Sequence, residues 1–256
     1  MLEPDAFELN ARQRLILERL MLEKEVKISE LSERFRVTEM TIRRDLEKLE
    51  ETGTVKRTFG GAIHIGQDLA LQDRSVLNME AKLRIGRSAA ASVRPGESIF
   101  IDGGTTTLQV AKCLPHGMKI TVVTNALNIA AELLNKQIPT VVTGGMLVEA
   151  TNSLVGPLAA QCINDMAFDR AFLGTTGISA GHGFSNSNLY EAEVKRLAAS
   201  RSAEMNVVAD STKFGVRSLA SFAPLAAASR IWTDSMPEEP LAGACEEAGV
   251  RIELAE

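Results

Sequence analysis

Along residues 10–62 apolar positions recur every three or four residues, and from residue 81 onward they fall into short β-branched runs separated by helical stretches. The first half therefore predicts helices, and the second predicts alternating strands and helices. Asn10 and Gln13 stand three apart as a capping pair, followed by Leu15, Ile16, Arg19, Leu20 and Leu22 as the stripe of a first helix. Ser29 is placed to cap a second helix that turns Leu31 and Phe35 inward. After a break at Arg36, Val37 and Thr38, a third helix is expected from Glu39 to about Glu51. Ile42, Leu46 and Leu49 would line its buried side, and Gly53 would close it. Residues 55–59 alternate like a strand, Gly60-Gly61 makes a tight turn, and 62–65 returns as a second strand. Three helices and a small ribbon predict a winged helix-turn-helix.

Beyond a polar, weakly patterned stretch, the strand candidates are 98–102, 120–124, 140–143, 170–173, 206–209, 230–233 and 250–253. Helical windows at 83–93, 106–114, 126–135, 155–165, 188–203 and 240–248 lie between them. Short links between alternating elements predict a Rossmann-like, mainly parallel sheet covered on both faces, so the fold class is α/β behind a winged head. The expected domains are 1–65, a linker over 66–80, and 81–256.

Composition narrows the function more than the fold. The net charge is -5, so nucleic-acid binding has to rest on local features. One Tyr, one Trp and nine Phe argue against an aromatic platform for single strands. Cys113, Cys162 and Cys245 are scattered, which offers no disulfide framework and no CxxC spacing and suits a reducing cytoplasm. The start of the chain lacks the pattern of a signal peptide, and no apolar run reaches membrane-spanning length. No metal or cofactor is expected. His64, His116 and His182 receive no chemical role.

In the third helix, Thr41, Arg44 and Lys48 share a face beside Arg43, and Thr38 stands at its start. Such a face fits a major groove, where arginine reads guanine edges or clamps phosphates. Lys56, Arg57 and Gly60 sit on the wing, within reach of backbone phosphates. Charge alone favours an ordinary solvated helix with Arg43 paired to Glu39 or Glu47, because residues 1–64 hold 12 Lys and Arg against 13 Asp and Glu. The arrangement of helix, break, paired arginines, glycine stop, basic strand and double glycine favours the DNA reading.

In the second half, Asp102-Gly103-Gly104-Thr105-Thr106-Thr107 follows a strand and opens a helix. Glycines allow close backbone approach, and free amides at a helix start attract an anion. The loop is neither a P-loop nor a dinucleotide fingerprint, and such turns often do nothing but turn. Thr124-Asn125, Gly144-Gly145, Gly174 with Gly177, and Asp210 with Lys213 end the neighbouring strands. Small and polar residues thus collect on one sheet edge, where α/β sheets bind ligands. Lys213 offers a cation to a phosphate, while Asp102 and Asp210 offer acceptors to sugar hydroxyls. Glu191 and Lys195 are four apart on one helix face, and spacing alone makes them a surface ion pair.

The string Glu30-Leu31, Phe35, Val37-Thr38, Thr41-Ile42-Arg43-Arg44-Asp45-Leu46, Leu49, Gly53, Arg57 and Gly60-Gly61-Ala62 closely resembles the head of the DeoR family of bacterial regulators. Thr38 replaces the family's more usual serine, and Phe59 its usual histidine. Asp102, Gly104-Thr105-Thr106, Thr124-Asn125, Gly144-Gly145, Gly174, Gly177, Glu191-Ala192, Val194-Lys195-Arg196, Asp210-Ser211 and Lys213-Phe214 resemble the effector domain of the same family. Gly103 and Thr212 stand where serines are frequent. The resemblance implies a sensor similar to ribose-5-phosphate isomerase and sugar-phosphate deaminases. It further implies a homo-oligomeric, dimeric or tetrameric, repressor of double-stranded operator DNA that answers a phosphorylated sugar or polyol. An isomerase or deaminase with an appended head is the alternative.

Overall fold

Residues 9–23, 25–51, 55–64 and 77–256 are described by the computed structural model, and the chain divides into two units, Met1–Leu77 and Asn78–Glu256. The first unit contains α1 (Ala11–Glu23), β1 (Glu25–Lys27), α2 (Ile28–Phe35), α3 (Glu39–Glu50), β2 (Val55–Arg57) and β3 (Gly61–His64). Asn10 and Gln13 do cap one another: each backbone N–H donates to the other's side-chain oxygen at 3.0 Å. Ile16, Leu17 and Leu20 of α1 meet Leu31 of α2 and Ile42, Leu46 and Leu49 of α3 in one core. Leu15, expected in that stripe, is exposed, and Leu17 takes its place; the side chain of Leu22 lies outside the described residues.

Asp45 is a buried carboxylate on α3. It accepts from Arg12 Nε at 2.6 Å and from Gln13 Nε2 at 3.0 Å, which fastens α3 to α1. Ser29 does not cap α2. The helix starts at Ile28, straight out of a strand that sequence patterning did not predict, with extended Lys27 before it. That strand, β1, has three residues and one buried side chain, too short for alternation to register. It makes the ribbon three-stranded, in the order β1-β3-β2, all antiparallel. Gly61 belongs to β3, opposite Lys27, rather than to a simple turn. Gly53 and Ile65 lie outside the described residues.

In the second unit every expected parallel strand is present: β4 (Ser98–Ile101), β5 (Thr121–Thr124), β6 (Thr140–Val142), β9 (Phe168–Leu173), β12 (Ser202–Val208), β14 (Arg230–Thr233) and β15 (Arg251–Leu254). Their order is β15-β14-β12-β9-β4-β5-β6. The chain therefore runs outward from β4 to β6, returns to β9 on the other side of β4, and runs outward again to β15. Alternation sorts the side chains. Ile99 and Ile101 pack under α4 (Met79–Ala91), α5 (Thr105–Cys113) and α6 (Leu127–Asn135), while Phe100 packs with α7 (Pro157–Asn164), α8 (Leu189–Ser200) and α9 (Leu241–Glu247) on the opposite face.

Three departures from expectation matter. Helix α4 begins at Met79, so Met79 and Glu80 are helical rather than the end of a linker. The hairpin of β7 (Met146–Val148) and β8 (Ser153–Val155) was not anticipated. Neither was the antiparallel sheet of β10 (Gly177–Ser179), β11 (Gly183–Asn186) and β13 (Ala220–Ala223). These strands are short, and their glycine and serine content hides any apolar alternation.

The two wing glycines predict opposite outcomes. A Cβ on Gly61 would fall 1.8 Å from the Val26 carbonyl oxygen, whereas one on Gly60 meets nothing within 4 Å. Gly61→Ala should separate β3 from β1 and cost more than about 3 kcal/mol, while Gly60→Ala should stay within about 0.5 kcal/mol. Equal denaturation midpoints for the two full-length variants would refute this packing.

Candidate functional site

The carboxyl end of the sheet is built by neighbouring strands, since β6, β5, β4, β9 and β12 lie side by side. The chain reverses its direction of travel across the sheet between β4 and β9, and at such a switch point the following loops diverge and leave a crevice. Asp102 ends β4 and Gly174 ends β9, one on each side of it. Asp102 is buried, and its Oδ2 receives Lys195 Nζ from α8 and the Gly174 N–H at 3.2 Å. Burial pushes the Asp102 carboxyl above its usual range, against the pull of Lys195. Lys195 is also buried and lies 5.9 Å over the Phe222 ring.

Spacing alone made Glu191 and Lys195 a surface ion pair, and that expectation fails. Both are buried, and each has other partners. Glu191 accepts from Thr151 Oγ1 through one oxygen and from Asn186 Nδ2 at 2.9 Å through the other. Helix α8 turns this side toward the sheet because Ala192, Val194 and Ala198 on it join the core, so the two polar residues are carried inward with them.

The glycine loop lies beside this cluster. The Gly103 N–H donates to Asn125 Oδ1 at 3.1 Å, and Asn125 Nδ2 donates to the Leu154 carbonyl at 3.2 Å, which ties β4, β5 and β8 together. A Cβ on Gly103 would come 2.2 Å from Ser153 Oγ, so any larger residue there would have to turn the Ser153 hydroxyl aside. Among the described residues, the N–H groups of Gly104, Thr105, Thr106 and Thr107 donate to no protein acceptor. Thr107 Oγ1 is buried without a hydrogen-bond partner, close to Gly104. Thr105 and Thr106 are largely buried as well. Helix α5 therefore presents unused amides and hydroxyls at the switch point, an arrangement suited to an anion.

The remaining predicted residues divide. Thr124 Oγ1 accepts the Ala126 N–H at 3.1 Å, which shapes the β5 loop. Gly144 and Gly145 have φ of 70° and 118°, and Gly145 passes close to the Val155 carbonyl, so both serve the turn into β7. Gly177 opens β10, where a Cβ would come 2.4 Å from the Val216 carbonyl oxygen. Asp210 is buried and caps the short turn Ser211–Lys213, and Lys213 remains partly exposed at the end of that turn. Asn78, Thr151, Ser153 and Asn186 were missed by sequence reasoning. An asparagine just ahead of a helical run was the only available signal for Asn78, and the other three sit in the unpredicted short strands or beside them.

On the head, Arg43, Arg44, Thr38, Lys56 and Gly60 are exposed, and Thr41 and Lys48 partly so. Thr38 Oγ1 accepts the Thr41 N–H at 3.3 Å and bonds the Thr41 hydroxyl at 2.9 Å, which caps α3. Arg43 approaches Glu39 at 3.8 Å, as an ordinary surface pair would. Arg44 makes no ion pair with the described residues. Arg57 is bound to Glu50 at 2.8 Å and lies 3.6 Å from Glu47, so it pins the wing to α3. Its backbone N–H and guanidinium hold the Glu50 carboxyl below its usual range.

A family model described as the DeoR-like helix-turn-helix domain matches residues 12–68, and one described as the DeoR C terminal sensor domain matches residues 77–235. The HTH-type transcriptional regulator YulB of Bacillus subtilis is 37% identical over 94% of this chain and 95% of its own length. The regulator GlpR of Haloferax volcanii is 34% identical over 88% of this chain and 89% of its own. A putative aga operon transcriptional repressor of Escherichia coli O157:H7 is 31% identical over 95% of this chain and 93% of its own. Among solved structures, ribose 5-phosphate isomerase A from Methanocaldococcus jannaschii aligns over 54% of this chain and 55% of its own, with TM-score 0.40 and 15% identity, too distant to bear on the site.

A buried pair and a surface pair predict different costs. Lys195→Met leaves Asp102 buried without its cation and should destabilise the second unit by about 3–5 kcal/mol. A loss under about 1 kcal/mol in urea unfolding would return the pair to the surface class.

Proposed function

The chain belongs to the DeoR family of helix-turn-helix transcriptional regulators, and we propose that it represses a sugar or polyol catabolic operon until a phosphorylated sugar or polyol occupies its second domain. In this reading residues 1–65 contact operator DNA through Arg43, Arg44 and Lys48 of the reading helix and Lys56, Arg57 and Gly60 of the wing, with Thr38 and Thr41 setting the start of that helix. Residues 81–256 sense the effector. The observation that carries the sensor reading is the start of α5, where four amide N–H groups with no acceptor among the described residues and the Thr107 hydroxyl stand beside buried Asp102 and Lys195 at the switch point. A phosphoryl group matches such donors, Lys213 lies at the same sheet edge, and sugar hydroxyls match the carboxylates.

The relatives named above are regulators, which supports reading Asp102, Glu191 and Lys195 as sensing groups with no catalysis. Turnover of ribose 5-phosphate or glucosamine 6-phosphate by the purified protein would overturn that. The protein acts in the cytoplasm as a homo-oligomer, a dimer or tetramer matched to repeated half-sites. No helix among the described residues is long and apolar enough to cross a membrane.

Two measurements test the reading. A sugar phosphate that enters the site should weaken operator binding by about 5–150-fold, and operator should weaken ligand binding by the same factor. Operator affinity that no phosphorylated sugar or polyol changes would sink the sensor role. Arg44→Ala should lower the log–log salt slope of DNA binding by about one if Arg44 holds a phosphate, or cost about 1–3 kcal/mol at one base position if it reads a base. Binding unchanged on both counts would remove Arg44 from the interface.

A further inference from the structure

Asn78, the first residue of the second unit, stands at the start of α4 yet does not cap it. Its backbone is left-handed, with φ 49° and ψ 34°, and its side chain makes no bond to its own helix. Asparagine is both a favoured helix cap and one of the few residues at ease in that conformation. Here its amide crosses to the sheet instead, where Nδ2 donates to Asp210 Oδ1 at 3.1 Å. The same oxygen accepts from the backbone N–H and hydroxyl of Thr212. The Lys82 N–H donates to the Asn78 carbonyl at 3.0 Å and closes the first turn of α4, and the buried Lys82 side chain adds positive charge facing Asp210. Burial raises the Asp210 carboxyl, but Lys213, Thr212, Lys82 and Asn78 together bring it below its usual range. The bond from Asn78 is therefore made to an anion, the stronger kind of hydrogen bond.

Asp210 lies just past the end of β12, beside β9, whose end carries Gly174. The turn it caps ends in Lys213, at the edge of the proposed effector site. We propose that Asn78 is the residue that couples occupancy of this strand-end site to the chain arriving from the DNA-reading head. The proposal rests on the phosphorylated-effector reading of that site. The first unit ends at Leu77, and the next residue in the chain is fastened to the site's edge. Asp210 holds Asn78 through Oδ1. An anion that draws Lys213 toward itself pulls on the turn that Asp210 caps and displaces Oδ1 from the Asn78 amide, which releases the start of α4. A ligand shifts only an equilibrium whose two states it binds differently, and this turn supplies the difference.

Asn78→Gly deletes the amide while keeping a residue at ease at positive φ. The DNA is a duplex selected from a random library by the wild-type protein, and the probes are ribose 5-phosphate, glucosamine 6-phosphate and inorganic phosphate. For a probe that weakens operator binding of the wild type, the variant should respond by less than about twofold, while its calorimetric affinity for that probe stays within about threefold. A variant that responds as the wild type does overturns the coupling role and leaves the sensor reading standing. A readout without effector is amide hydrogen exchange: operator should change exchange in residues 78–82 and 209–213 of the wild type, and the change at 209–213 should vanish in Asn78→Gly. Wild-type exchange unaltered by operator in both segments overturns the coupling even if no probe binds. Should Asn78→Gly fail to fold, Asn78→Asp, which sets a like charge against Asp210, serves in its place.

Discussion

A carboxylate cannot be buried without a partner, and the second domain is arranged around one that is. Asp102 ends the strand at which the sheet changes direction, and its charge is answered from two sides, by Lys195 on a helix and by the Gly174 N–H at the end of the adjoining strand. Removing such a charge from water costs several kcal/mol, so β4, β9 and α8 are held in mutual register by electrostatics as well as by apolar packing. The free amides of α5 begin two residues later, and their position is inherited from that register. The pair also lies beside the place where an anion would bind, so any change in local charge is felt by the groups that hold the strands.

The head obeys a related constraint on a smaller scale. Asp45, inside α3, is answered by Arg12 and Gln13 of α1, and Arg57 on the wing is answered by Glu50 and Glu47 of α3. These contacts orient α3 against its neighbours and leave Arg44 and Lys56 facing outward without ion pairs among the described residues. An acidic chain can then present a local basic face, because Asp45, Glu47 and Glu50 are engaged by Arg12 and Arg57 rather than by Arg44 or Lys56. The count of charges along residues 1–64 conveyed none of this, since it cannot say which charges are already paired.

The same lesson recurs in the site. Spacing placed Glu191 and Lys195 on one helix face and made them a solvated pair, but the apolar residues between them, Ala192 and Val194, belong to the core and turn that face inward. Asp210 also holds the start of the domain, because its Oδ1 accepts from Thr212 and from Asn78, a contact that no local pattern announces. Thr151 and Asn186, which fix Glu191, come from short segments that carry no periodicity.

The two-part organisation, the winged head, the seven parallel strands and the loop at the end of β4 can be read along the chain, because each is written in local periodicity and in turn residues whose backbone demands are local. Which charges are buried, which pairs form across distant segments, and that the residue opening the second domain is bound to one 132 positions further along emerge only from the folded arrangement. Those outcomes depend on strand order and on which helix face meets the sheet. Both are set by the packing of the whole domain, and no window of neighbouring residues contains that information.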